Sequence, residues 1–155
     1  VYLLYMIARI NSILRKTEVA DIKKLKLQDL YTESEKELIF KISLSGNAFV
    51  SAYNEKSPNI ICENAYQIAV AFSKFYHENH IINEPDEKKK TSWLALCVIT
   101  KEMLIKHLHT LAIETVDVIF QLFTIKDTAP KLKLWEQYLL LYISSFYDIL
   151  SSSTR

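Results

Sequence analysis

Three features of the sequence predict an all-α fold, a helical bundle of about five helices. Apolar residues recur at three- and four-residue intervals along most of the chain, the period of a helix with one buried face. The 155 residues include a single glycine and three prolines, too few for the tight turns of a β-rich fold. Helix-start signals stand ahead of the periodic runs. With 50% hydrophobic and 24% charged residues the composition excludes intrinsic disorder. A chain of this length buries about 68–70% of its unfolded surface and needs no staple to hold a core.

The first helix covers residues 1–16, VYLLYMIARINSILRK, with Tyr2, Tyr5, Met6, Arg9, Ile10, Ile13 and Leu14 on its stripe. Arg15 and Lys16 fall in the last turn, where cations suit the helix dipole. Residues 17–31 are polar, anchored by Leu25, Leu27 and Leu30, and read as a weak helix or a looser connection. Thr32 and Glu35 form a capping box, and the helix behind it runs to about Ser45, where Gly46-Asn47 supplies a stop. A shorter helical piece spans Ala48 to Asn54. Ser57-Pro58 opens the longest helix, with Ser57 at the cap and Pro58 at the first position. Its stripe is Ile61, Ala65, Ile68, Ala69, Phe72 and Phe75, which makes Phe72 and Phe75 core and leaves Tyr76, about 100° round the helix, partly exposed. Residues 80–91 read as a loop, with Glu87-Lys88-Lys89-Lys90 as its solvated tip. Ser92 then begins a helix lined by Leu94, Cys97, Val98, Leu104, Ile105, Leu108 and Leu111. Leu132 to Leu150 is a last amphipathic run, with Trp135, Tyr138, Leu139, Tyr142, Phe146 and Ile149 on one face. Such a stripe needs cover, either from the bundle or by self-association with a partner chain.

The chemistry-bearing residues exclude more than they assign. One glycine leaves no room for a G-x-G-x-x-G fingerprint, a P-loop or a G-x-S-x-G elbow. Cys62 and Cys97 make neither a zinc quartet nor a disulfide framework and read as reduced core thiols. His77 and His80 are three apart, not the four of a zincin helix, and His107 and His109 face different sides of a helix, so no metal site is expected. Glu33, Glu35 and Glu37 read as helix-start and surface charges. No catalytic residues can be singled out. No apolar stretch is long enough for a membrane span. The first residue is Val1, not Met, which predicts a fragment or a processed product. A formal net charge of +1 argues against a dedicated non-specific nucleic-acid binder. Local sites remain. Tyr5 and Arg9 lie one turn apart, and Phe75 and Tyr76 close the long helix just before a basic run. Single-stranded RNA is commonly held by aromatic stacking with Arg and Lys on phosphate. Aromatics at helical spacing are more often core, so the pattern alone leaves both readings open; the candidate nucleic-acid-binding residues would be Tyr5, Arg9, Arg15, Lys16, Tyr76, Lys88, Lys89 and Lys90.

The order of these segments resembles the C-terminal anticodon-binding (DALR-type) domain of arginyl-tRNA synthetases. Leu3 to Lys16, L-L-Y-M-I-A-R-I-N-S-I-L-R-K, resembles the family's first helix, through Tyr5, Arg9, Ile10, Ser12 and Ile13. Glu35-Lys36-Glu37-Leu38 resembles the start of its next helix. A-V-A-F-S-K-F-Y at residues 69–76 is similar to its long helix, and Thr91 to Cys97 and Leu111 to Glu114 resemble the two ends of its last one. The likeness covers residues 1–119 and leaves 120–155 as a C-terminal extension. The chain departs from the family's usual pattern in several places: Ser92-Trp93-Leu94 stands where Ser-Arg-Leu is usual, His107 and Ala112 stand where glycine is usual, and Thr115 to Ile119 replaces a Pro-x-x-Arg-Met ending. The resemblance implies an all-α bundle that docks on the anticodon arm of an arginine tRNA in the cytoplasm. It places ATP, magnesium and the chemistry of ligation in an upstream catalytic domain of the same protein, whose H-x-G-H and K-M-S-K-S signatures this chain lacks. No cofactor is then expected in this segment. The competing reading is a divergent interaction or structural bundle with no part in aminoacylation. A free-standing enzyme stands third.

Overall fold

The computed structural model of the chain describes residues 1–17, 25–28 and 30–115. The amphipathic run Leu132 to Leu150, and with it the extension 120–155, lies outside the described residues. Among the described residues five α-helices and one 3-10 turn follow in order: α1 Tyr2–Lys16, α2 Glu33–Ser43, α3 Ser45–Glu55, α4 Asn59–Glu78, the 3-10 turn Ile81–Asn83 and α5 Glu87–Thr110. Among the described residues there is no strand.

α4 is the hub, packed against α1, α2, α3 and α5, and α5 also carries α1, α2 and the 3-10 turn. Met6, Ile7, Ile10 and Ile13 of α1, Leu38 and Ile42 of α2, and Ala65, Ile68, Ala69, Phe72 and Phe75 of α4 close on Leu94, Leu96, Cys97 and Leu104 of α5. The α4 stripe is thus the one its periodicity predicts, with Phe72 and Phe75 fully buried and Tyr76 half-buried. α1 differs from its expected stripe. Its buried face runs through Ile7, while Tyr2 and Tyr5 are exposed.

The capping box forms as expected. Glu35 N–H donates to Thr32 Oγ1 at 3.3 Å, and Thr32 N–H donates to Glu35 Oε1 at 2.9 Å. Glu35, so bonded, is fully buried and is no surface charge. Beside it, the Asn79 amide donates to Ser34 Oγ at 3.1 Å and to Phe75 O at 2.7 Å, which ties the start of α2 to the end of α4.

Three boundaries and one set of anchors differ from expectation. Gly46 and Asn47 lie inside α3, because the chain turns at Leu44 and re-enters a helix at once. Ser57 does not cap α4. Its hydroxyl bonds to Asn59 Oδ1, and Pro58 occupies the cap position with no side-chain cap bond. Of Leu25, Leu27 and Leu30, only Leu25 packs on the core; the other two are exposed. α5 begins at Glu87, not Ser92, because the Asp86 carboxylate accepts from Lys88 N–H at 2.9 Å and Lys89 N–H at 3.3 Å. The lysine run is therefore the first turn of a helix. Cys97 is buried, and its surroundings push the thiol up to about 12, which keeps it protonated and inert. Cys62 is exposed and is no core thiol, since it sits 100° away from Ile61 on α4.

α5 ends in a Schellman motif: Ile113 N–H reaches Leu108 O at 2.8 Å and Ala112 N–H reaches His109 O at 2.9 Å. That closure puts Ala112 at φ 57°, the conformation glycine adopts without strain, at a position where the family resemblance leads one to expect glycine. Lys56 does the same at the end of α3, at φ 52°. Ala112→Gly and Lys56→Gly should each raise the unfolding free energy by about 0.5–1 kcal/mol, the relief of left-handed strain less the added freedom of the unfolded glycine. A denaturant midpoint that falls for both would show that this strain is absent.

Candidate nucleic-acid interface

α1 and α4 lie side by side and run in the same direction, since Tyr2 meets Tyr66 (ring centroids 5.9 Å) and Arg9 meets Tyr76 further along both helices. The Arg9 guanidinium carbon sits 4.7 Å from the Tyr76 ring centroid and 5.3 Å from that of Tyr5. A cation is thus held between two tyrosine faces, an arrangement stabilised by the ring quadrupoles. Tyr5 is exposed, and Arg9 and Tyr76 are half-buried, so the cluster opens to solvent. Tyr76 is steadied from beneath by the near-parallel ring of Phe72 at 6.4 Å. Three of the sequence-predicted residues, from two helices far apart in the chain, therefore meet at one spot.

The other candidates lie elsewhere. Arg15 and Lys16 are exposed in the last turn of α1. Lys16 is seven residues beyond Arg9, on nearly the same face and about 10 Å along the axis. Lys88, Lys89 and Lys90 stand at the start of α5 among Glu84, Asp86 and Glu87, so their three charges face three carboxylates of opposite sign. Lys88 is exposed. Lys89 is not free in the same sense: its ammonium pairs with Glu84 Oε2 at 3.3 Å and lies 4.5 Å from the Trp93 ring centroid and 5.8 Å from that of Tyr31.

Sequence reading missed this second cluster because it placed Lys89 in a loop. Once α5 starts at Glu87, Lys89 and Trp93 are one turn apart and face each other. Trp93 itself, which stands where the family usually has arginine, is buried edge-on against Phe75 at 6.1 Å. His107 is also buried rather than a surface histidine. Its Nδ1–H donates to Met103 O at 2.8 Å, its Nε2 lies 2.7 Å from the Asn64 side-chain amide, and Phe49 packs on its ring at 4.8 Å. The bulk of an imidazole at a position usually given to glycine is accommodated between α3, α4 and α5. His77 and His80 are exposed, and among the described residues no three metal-ligating side chains gather. Among those residues no helix is long and apolar enough to cross a membrane.

A family model for the DALR anticodon binding domain matches residues 3–119. The chain is 39% identical over 107 residues to an arginine–tRNA ligase of Agathobacter rectalis, a stretch that is 66% of this chain and 18% of that protein. It is 36% identical over 114 residues to that of Alkaliphilus oremlandii (73% and 19%). It is 39% identical over 105 residues to that of Francisella tularensis (64% and 18%). The matches thus span less than a fifth of these relatives' length. With the family match taking in well over half of its residues, the chain belongs to the DALR anticodon binding domain family.

Proposed function

We propose that this chain is the tRNA-docking part of an arginine–tRNA ligase, seated on the anticodon arm of an arginine tRNA while an upstream catalytic domain of the same protein performs the ATP- and magnesium-dependent ligation in the cytoplasm. The segment itself takes no cofactor. The observation that carries this reading is the Arg9 guanidinium between the Tyr5 and Tyr76 rings. Arg9, with Arg15 and Lys16 farther along α1, suits phosphate oxygens, which position a nucleic acid without reading its sequence. Tyr5 and Tyr76 offer ring faces to unpaired bases of a loop. Lys88 and Lys90 add weaker contacts because Glu84, Asp86 and Glu87 offset their charge.

Binding of the full chain to an arginine tRNA transcript across a salt series tests this. Arg9→Ala should weaken binding roughly 10-fold or more, in line with about 1–3 kcal/mol for a base-stacking or charge contact. It should also flatten the plot of log K against log salt by about 0.7–0.9, the share of a single neutralised phosphate. Binding indifferent to both salt and Arg9→Ala would sink the tRNA reading and leave the interaction-bundle alternative standing.

A further inference from the structure

We propose that Lys89 is a positioning residue that fastens residues 25–28 and 30–31 to α5 and makes no phosphate contact. This departs from the expectation that all three lysines of the run meet nucleic acid, and it stands whether or not the tRNA reading does. Lys89 Nζ is ringed by Trp93 at 4.5 Å, Tyr31 at 5.8 Å and Glu84 Oε2 at 3.3 Å. The Lys89 and Glu84 side chains retain only 27% and 13% of their exposure, so this pair is far less screened than a surface one.

Trp93 and Glu84 belong to α5 and the turn before it, but Tyr31 belongs to the connection between α1 and α2. The ammonium therefore joins two pieces of chain far apart in sequence. A second tie lies next to it: Gln28 N–H donates to the buried Ser92 Oγ at 3.1 Å, on the same turns of α5. Leu25 completes the attachment by packing on the core. The outward side of the segment, with Leu27, Leu30 and Tyr31 exposed, adds little to hold it. An ammonium that turned outward to a phosphate would give up the carboxylate and both rings at once. Lys88 has no comparable enclosure, since it is exposed one residue earlier on the helix.

Amide exchange at Gln28 reads the fastening directly, in the full chain, without any nucleic acid. Lys89→Gln should speed that exchange roughly 10-fold, the order expected from a partly desolvated cation–π contact together with its ion pair. Lys89→Arg, which keeps a cation over Trp93 and beside Glu84, should restore slow exchange. Glu84→Gln, which leaves Lys89 in place, should give an intermediate rate and guards against a Lys89→Gln protein that folds poorly. The salt dependence of arginine tRNA binding should be the same for Lys89→Gln as for the parent chain. Unchanged Gln28 exchange in both Lys89→Gln and Glu84→Gln would overturn the proposal, and so would a salt slope reduced by about 0.7–0.9 in Lys89→Gln. If the parent chain binds no tRNA, the tRNA reading fails, and the exchange rates still decide the role of Lys89.

Discussion

Phe72→Ala is expected to lower the unfolding free energy by about 3–5 kcal/mol, as large-to-small changes in a closed core do. Phe72 is fully buried on the hub helix, 6.1 Å from the ring of Phe75, which in turn stands edge-on to Trp93 of α5. Truncating it leaves a cavity among side chains from helices that each pack on α4, and none of them can collapse inward without leaving its own neighbours. Tyr76→Ala should cost clearly less, because Tyr76 is half-buried and leans on Phe72 from the surface. Urea titrations of the two variants at neutral pH give the comparison. Equal losses would mean that the buried face of α4 is misassigned.

The stability of the chain should also fall on acidification through a single buried ring. Burial holds the His107 imidazole below its ordinary range, an effect partly offset by its bond to the Met103 carbonyl. The unfolded histidine, with a pKa of about 6.5, takes up its proton first. Between the two values the unfolded state binds more protons, so stability is fully present above about pH 6.5 and is lost as pH falls through the lower folded value. The structure places Asn64 Oδ1 2.7 Å from Nε2, so a neutral ring that donates from Nδ1 to Met103 O needs the Asn64 amide turned by 180° to present its NH2 there. Asn64→Leu leaves Nε2 without that donor and should cost about 1–3 kcal/mol. His107→Leu should flatten the acid limb below about pH 6.5. An acid limb unchanged in His107→Leu would assign the proton uptake to another group.

What the sequence carries and what it hides differ for physical reasons. α4 is amphipathic, so its stripe from Ile61 to Phe75 could be read off the period of about 3.6 residues. The Thr32 and Glu35 box is a local bond pattern, legible because both partners lie within one turn. Along α5 the stripe was legible only in part: Leu94, Cys97, Leu104 and Leu108 are buried as read, but its first turns carry no such period. Ser92 to Cys97 are all buried, so this stretch has no polar face to set a phase, and its true start was hidden behind a charge run whose preceding Asp86 is the cap. At the candidate interface, Tyr5 and Arg9 were legible as a helical pair, and Tyr76 as an exposed ring. Their meeting was not, because it depends on α1 lying alongside α4 in the same direction. The burial of Glu35 and His107 was hidden for the same reason. Glu35 stands at a helix start that local pattern assigns to the surface, and His107 gains Asn64 and Phe49 as neighbours only because α3 and α4 pack there.

The position of α1 also bears on how the chain is made. Met6, Ile7, Ile10 and Ile13 are buried against α4 and α5, the last helices of the bundle in chain order. Within this bundle, the first helix made thus gains the last of its cover only when α5 is made. With roughly 90 residues between the end of α1 and the end of α5, and synthesis at about 5–20 residues per second, its apolar face goes partly uncovered for roughly 5–20 s. A nascent helix with that stripe is a natural client for a holding chaperone, and α2, α3 and α4, which pack on one another within a short stretch of sequence, can assemble while it waits. Closure of the Tyr5–Arg9–Tyr76 cluster needs α4 as well as α1, so a chain released before Tyr76 is made would present Tyr5 and Arg9 without the ring that completes the geometry.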